Sequence, residues 1–382
     1  MRKEIGGQSV LHTDVNNVVK YADFAEDVLS KNPVIVVGSG TSCGAGISGM
    51  YALGRYLVEN VTISDFNGLE VQHWETFKEK INKDMGLEEA LQSLGEVSEI
   101  FTNTIVQATW KCILSDEREP LMRTFNGEDV TGFTRLFQRF RNTNIDCINI
   151  ITTNYDHLIE MAAATADWEV WDGFGNGILA RPVNSTILKS RMRKLIRPSK
   201  TPLYENIKHV KIYKPHGSLS WFKLSDNSFV KIPGVSCEHL DTMRSLAIHP
   251  VIVTPGIGKY LETHYEPYNN VMAEMNNSIH GAKAMIFLGF GFNDIHIQAS
   301  FQSVLRDPTI PKLIATRDLT GTFLDLVRKG DIRNYIAIEK CESGSKIISD
   351  QQQQEFIHEN VDSWALNGLL DITWGKENQD GV

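Results

Sequence analysis

Apolar positions along the chain fall into two rhythms. Between Val18 and Leu29 they recur at Val18, Tyr21, Ala22, Ala25, Val28 and Leu29. That spacing predicts one face of a helix, with Asp14 or Asn16 placed to cap its start and Pro33 to end it. Elsewhere the apolar residues gather in short runs: Val34–Val37, Ile148–Ile151, Val210–Tyr213, Val251–Val253, Ala284–Leu288, Lys312–Ala315 and Ile336–Ile338. Runs of this kind suit strands covered on both faces, as in parallel sheets. The pattern therefore predicts an α/β fold, a Rossmann-like parallel sheet with helices on both faces.

The intervals between the runs are uneven. Residues 60–142 read as mainly helical, with Leu87, Ala90, Leu91 and Leu94 on one face, and are too long for a simple crossover. We take them as an inserted helical subdomain within a catalytic domain over 1–320. Residues 168–208 and 222–248 are further insertions. A C-terminal extension, 321–382, carries Gln351–Gln354 and then Phe356, Ile357, Val361, Trp364, Leu366 and Leu369. It reads as an amphipathic helix that docks on the body or on another subunit.

Composition narrows the classes. With 42% hydrophobic and 22% charged residues, a chain of 382 residues can bury a core without help. A net charge of −9 gives no overall attraction to nucleic-acid backbone, so direct nucleic-acid binding is not expected. The basic segment Lys189–Lys200 reads as a solvated face. Five scattered cysteines form no C-x-x-C pair, which suits a reducing compartment and gives no zinc module. The N-terminus lacks a signal-peptide core, and no apolar run approaches the roughly 18–20 residues that span a bilayer. The expected location is the cytoplasm.

Chemistry should sit in the loops that end the strands, where open α/β sheets bind ligands. Gly38–Gly49 reads GSGTSCGAGISG directly after the first run. Glycines there let backbone N–H groups approach a diphosphate, and Ser39, Thr41 and Ser42 add hydroxyls. A dehydrogenase fingerprint would need glycine at Cys43, whereas glycine stands at Gly44; Asp65 could still serve such an enzyme as its ribose-binding acid. Thr152–Asp156, TTNYD, places Asn154 and Asp156 at a strand end, to contact a ligand or to cap the next helix. Lys214–Ser218, KPHGS, sets His216 between Pro215 and Gly217, at a rim where an imidazole can exchange protons near neutral pH. Gly289–Asp294, GFGFND, again combines glycines with Asn293 and Asp294.

These four loops, in this order, resemble the sirtuin family, in which such loops line one NAD pocket. The resemblance implies that Asn154 positions the nicotinamide ribose or a water, and that His216 is the general base. It implies cofactor contacts at Gly38, Ser39, Gly40, Thr41, Ser42, Asp156, Gly217, Ser218, Gly289, Gly291 and Asn293. The motifs look most like the bacterial antiphage-defence branch, whose members are NAD hydrolases, often homo-oligomeric and sometimes partnered with a HerA-type ATPase. Ser48, Gly49, Met50 and Tyr51 stand where deacetylases carry D-F-R, and the four-cysteine zinc module is absent. Both departures argue against an NAD-dependent protein deacylase. The expectation is an NAD+ glycohydrolase that uses NAD as substrate and holds no metal. The rivals are the deacylase and, from another class, a catalytically silent NAD- or ADP-ribose-binding scaffold for an ATPase.

Overall fold

The computed structural model describes residues 15–62, 64, 66–254, 268–350 and 355–376. The chain divides into two compact units, Met1–Thr41 with Ser278–Val382, and Ser42–Asn277. Elements are numbered in chain order, and the short helix after the first strand, α2, is Ser39–Gly44.

The first unit opens with α1 (Val15–Ser30), whose Tyr21, Ala25, Val28 and Leu29 are buried as the spacing requires. Asn16 lies inside its first turn and is not its cap, and Asp14 lies outside the described residues. β1 (Val34–Val37) pairs in parallel with β10 (Met285–Leu288), β10 with β11 (Lys312–Thr316), and β11 with β12 (Tyr335–Cys341). Every residue of β1, β10 and β11 is buried, so these strands are covered on both faces. The helices of this stretch are α12 (Ile295–Arg306) and α13 (Gly321–Lys329), while α11 (Tyr268–His280) leads into it.

The chain's end differs from the expectation. Phe356 and Ile357 belong to a strand, β14 (Glu355–Glu359), and a helix, α14 (Leu366–Trp374), forms only later. The cause is an available sheet edge: β13 (Gly344–Ser349) turns back on β12, and β14 pairs antiparallel with it, Ile347 opposite Phe356. A strand at an open edge satisfies its backbone there, and helical spacing of side chains does not outweigh that. Gln351–Gln354 lie outside the described residues.

In the second unit β2 (Cys147–Thr152), β6 (His209–Tyr213) and β3 (Glu169–Trp171) pair in parallel in the order β2-β6-β3. Val251–Val253 does not join a parallel sheet. It forms β9 (His249–Ile252), antiparallel to β7 (Gly217–Lys223), which also pairs antiparallel with β8 (Phe229–Lys231). An apolar run covered on both faces has no periodicity that tells parallel from antiparallel pairing.

Residues 50–141 of this unit hold α3 (Met50–Asn60), α4 (Leu69–Asn82), α5 (Leu87–Gln92), α6 (Glu99–Phe125) and α7 (Phe133–Arg141). Leu53, Leu57, Trp74, Phe77, Leu87, Ala90, Leu91, Phe101 and Ile105 form one apolar core among them. A second core, with Ala45, Trp110, Tyr155, Leu219 and Phe222, ties α6 to the strand-end loops. Each such large apolar side chain contributes about 1.5–3 kcal/mol on burial. α6 runs 27 residues from a Ser98 cap whose hydroxyl accepts from the Phe101 N–H at 3.1 Å.

The basic segment starts in α9 (Ser185–Arg191) and forms most of a hairpin, β4 (Arg193–Arg197) and β5 (Leu203–Asn206), every strand residue of which is exposed. Leu195, Ile196, Leu203 and Tyr204 are exposed along with its cations. α10 (Cys237–Ser245) completes the 222–248 insertion. No helix of the described residues is long and apolar enough to cross a membrane.

Candidate active site

Two of the four loops belong wholly or partly to the first unit, and they pack backbone to backbone. The Gly38 N–H donates to Leu288 O at 2.9 Å and the Gly40 N–H to Gly289 O at 3.0 Å. A Cβ on Gly38 would lie 2.4 Å from Gly289 O. Gly289 has φ of +55°, and a Cβ there would lie 2.3 Å from Thr41 N. The close approach these glycines permit is thus first of all that of one loop to the other. Ser39 and Gly40 remain exposed and Thr41 partly so, but the Gly40 N–H is used on Gly289 O and the Thr41 N–H on Gly38 O at 3.2 Å. Gly291 and Asn293 are fastened to the start of α13: Thr320 Oγ1–H donates to Gly291 O at 2.6 Å, and Thr322 Oγ1–H to Asn293 Oδ1 at 2.8 Å. Gly289→Ala should destabilise the protein by about 2–4 kcal/mol, combining left-handed strain with overpacking. A urea midpoint unchanged by the substitution would contradict this packing.

In the second unit the register of β2 against β6 does the positioning. Ile151 and Tyr213 are the last paired residues, and Asn154 and His216 each follow their member of that pair by three positions. The loops are then pinned: the Leu219 N–H donates to Tyr155 O at 3.0 Å and the Val253 N–H to His216 O at 2.8 Å. Tyr155 Oη–H donates to Val253 O at 2.7 Å. Gly217 has φ of +85°, and a Cβ there would lie 2.1 Å from Val251 O, so this turn can approach β9 only as glycine.

Ser42 is the hub of a buried polar chain. Asn154 Nδ2–H donates to Ser42 Oγ at 2.7 Å, and Ser42 Oγ–H donates to Asp156 Oδ2 at 2.6 Å. All three residues are buried. Asp156 Oδ1 accepts the Leu158 N–H at 3.2 Å, so the same carboxylate starts α8 (Leu158–Thr165) and orients Ser42. Asp156 thus supports the first turn of α8, whose cap position is His157, while the Asn154 amide is committed to Ser42. Burial pushes the Asp156 pKa up, against the pull of Lys214 and the Ser42 hydroxyl.

Lys214 is fully buried beneath these turns. Its Nζ donates to the carbonyls of Tyr155 and Asp156 and pairs with Glu160 Oε1 at 2.8 Å. Burial alone would lower its pKa, but Glu160 and Asp156 outweigh burial and the pKa is raised. Glu117, on α6, accepts the His157 backbone N–H, and His157 Nδ1 lies 3.1 Å from its Oε1. Ser218 is also fully buried, with Oγ 3.4 Å from His157 Nε2. His216 itself is partly exposed.

Sequence reasoning missed Lys214, Glu160, Glu117 and His157. Lys214 was legible as a charge wedged between an apolar run and Pro215. Alternation in Ser218-Leu219-Ser220-Trp221 also signalled a strand. Glu117 sits in a run of charges, DERE, that reads as any solvated helix face. Asp65, the acid a dehydrogenase would need, lies outside the described residues. Among the described residues no group of three or more His, Cys, Asp or Glu could hold a metal ion.

Residues 148–310 match a family model described as a SIR2-like domain, a span that contains Asn154, His216, Gly289, Gly291 and Asn293 but not Gly38–Ser42. No curated protein matches the chain. Among solved structures, a Sir2 homolog–NAD complex is 13% identical, with 86% of this chain and 90% of that one covered and a TM-score of 0.37. A Sir2 enzyme bound to a propionylated peptide is 13% identical over 81% and 89%, with a TM-score of 0.40. A structure described under the mechanism and regulation of Sir2 enzymes is 11% identical over 84% and 91%, with a TM-score of 0.37.

Proposed function

We propose that the protein is an NAD+ glycohydrolase, releasing nicotinamide and ADP-ribose. The observation that carries this reading is the buried Asn154–Ser42–Asp156 chain, with Asn154 and Asp156 on the turn after β2, whose parallel neighbour β6 leads into the turn of His216. In NAD the leaving group is already cationic. When the C1′–N bond breaks, its electron pair neutralises the pyridinium, and no acid is needed to protonate the leaving group. A ribose with oxocarbenium character then takes a water oxygen at C1′, and the water's proton passes to a base. Asn154, its amide fixed by Ser42, orients the ribose or that water, and His216 takes the proton. The site therefore needs no pair of carboxylates of the kind ordinary glycosidases use.

Gly38, Ser39, Gly40 and Thr41, with Gly289, Gly291 and Asn293, are assigned to the cofactor's phosphates and riboses, with the Ser39 and Thr41 hydroxyls as donors, since the N–H groups of Gly38, Gly40, Thr41 and Gly289 are already bonded to protein carbonyls. Asp156, Gly217 and Ser218 support the reacting end. The domain over 1–320 is catalytic, with 60–142 as its inserted helical part, and 321–382 serves docking or assembly. An enzyme that depletes NAD must be gated. The resemblance to the antiphage-defence branch supports a cytoplasmic effector controlled by homo-oligomer formation or by a HerA-type ATPase. The exposed apolar and basic hairpin β4–β5 offers one surface for such contacts.

The test incubates the purified chain with NAD, alone, with an acetylated peptide, and with its genomic neighbours, and identifies the products. Nicotinamide and free ADP-ribose without peptide support the proposal. Release that requires the peptide would replace it with a deacylase, and tight NAD binding without release under every condition would leave a scaffold.

A further inference from the structure

α6 grips three loops of the second unit within eight residues. Trp110 Nε1–H donates to Leu219 O at 2.8 Å, just beyond the His216 turn. The Ser48 N–H donates to Asp116 Oδ2 at 2.9 Å, on the glycine-rich segment that continues from Ser42. Glu117 takes the His157 N–H and lies 3.1 and 3.2 Å from its Nδ1 through its two oxygens, immediately after Asp156. The far side of the same imidazole lies 3.4 Å from Ser218 Oγ, two residues after His216. One carboxylate thus reaches, through one histidine, the turn that carries Asn154 and the turn that carries His216.

We propose that Glu117 is a positioning residue: through His157 it holds the Asn154–Asp156 and His216–Ser218 turns in the geometry hydrolysis requires. The proposal rests on the reading of this site as a glycohydrolase centre. The Ser218–His157–Glu117 order matches that of a nucleophile relay, but Ser218 is fully buried and cannot meet a substrate. A carboxylate only 2% exposed is also a poor way to gain stability alone, since well-packed apolar groups commonly do as well. What an apolar pair cannot supply is direction: two-point acceptance by Glu117 sets both the backbone and the ring of His157.

The charged groups acting on His157 are Glu117 on α6, Glu160 on α8 and Lys214 beyond β6. Burial works against the imidazolium, but Glu117 outweighs it and the His157 pKa is raised. Burial works against the Glu117 carboxylate as well, and His157 outweighs it, so that pKa is lowered. The histidine's contribution is full below its unfolded value and is lost as pH rises through its raised value. The carboxylate's is full above its unfolded value and is lost as pH falls through its lowered value. The clamp therefore holds in a window between the two.

The test compares wild type, Glu117→Gln, His157→Gln and the double variant as full-length proteins. Nicotinamide release is measured as kcat and KM across pH, with thermal unfolding alongside. The expected result for Glu117→Gln is a loss in kcat of up to about 10²-fold with much less change in KM, because misplacement costs the chemical step. The alkaline limb of the kcat profile should also shift to lower pH, and the double variant should lose little more than either single one. Wild-type kcat and an unshifted alkaline limb in Glu117→Gln would overturn the proposal, as would fully additive losses. Should Glu117→Gln not fold, His157→Gln carries the kcat and KM comparison, and wild-type kcat in it would overturn the proposal. If wild type releases no nicotinamide, the glycohydrolase reading fails by itself. The clamp is then read from the His157 imidazole by NMR titration, where equal titration in wild type and Glu117→Gln would overturn it.

Discussion

His216→Ala should fold as wild type does, still bind NAD, and lose about 10²–10⁴-fold in nicotinamide release. In free energy that is about 3–5 kcal/mol of barrier, the contribution expected of one well-placed base. The fold should survive because the turn is held by its backbone: His216 O accepts from the Val253 N–H, and Gly217 supplies the close approach to β9. Neither depends on the imidazole, which is partly exposed. Equilibrium binding and single-turnover product analysis, run side by side, separate the two effects. Unimpaired turnover would remove His216 from the mechanism, and loss of binding in proportion to turnover would make it a binding residue.

How much of this could be read from the chain differs by element. The strands that carry the site, β1, β2, β6 and β10, are short buried runs and were legible, as was the buried face of α1. The turns that follow them were legible as turns from their glycines, but not the use made of those glycines: Gly38 and Gly289 first of all let one loop approach the other. β9 was legible as a strand but not in its pairing, since burial on both faces hides direction. The C-terminal segment misled for a different reason. Phe356 and Ile357 share helical spacing with Val361 and Trp364, but only the fold discloses that β13 leaves an edge for them. Ser42 is expected as a cofactor contact, and what its sequence position did not disclose is that its hydroxyl joins Asn154 to Asp156. The supporting groups were the least legible. Glu117 lies 40 positions from His157 and Lys214 lies 58 from Asp156. Pairings at that range are products of topology, and no local pattern announces them.

Of those groups Lys214 should matter most to stability. Lys214→Met keeps the length of the side chain and removes its charge, which leaves Glu160 without its cation and the Tyr155 and Asp156 carbonyls without their donor. Breaking one side of a buried ion pair costs about 3–5 kcal/mol, whereas replacing both sides with well-packed apolar groups is commonly neutral. Lys214→Met with Glu160→Leu should therefore recover much of what the single change loses. The pH dependence supplies an independent check. Burial already pushes the Asp156 pKa up, and Lys214 is the first group opposing that rise. Without the lysine, the folded-state pKa of Asp156 climbs further above its unfolded value. Stability linked to a raised carboxyl pKa is present at low pH and lost as pH rises through that value. The deficit of Lys214→Met relative to wild type should accordingly shrink on moving from neutral to mildly acid solution, as read from urea midpoints. A deficit that stays constant or widens would mean that Lys214 does not govern the charge state of this turn, and that its ion pair with Glu160 is a packing feature alone.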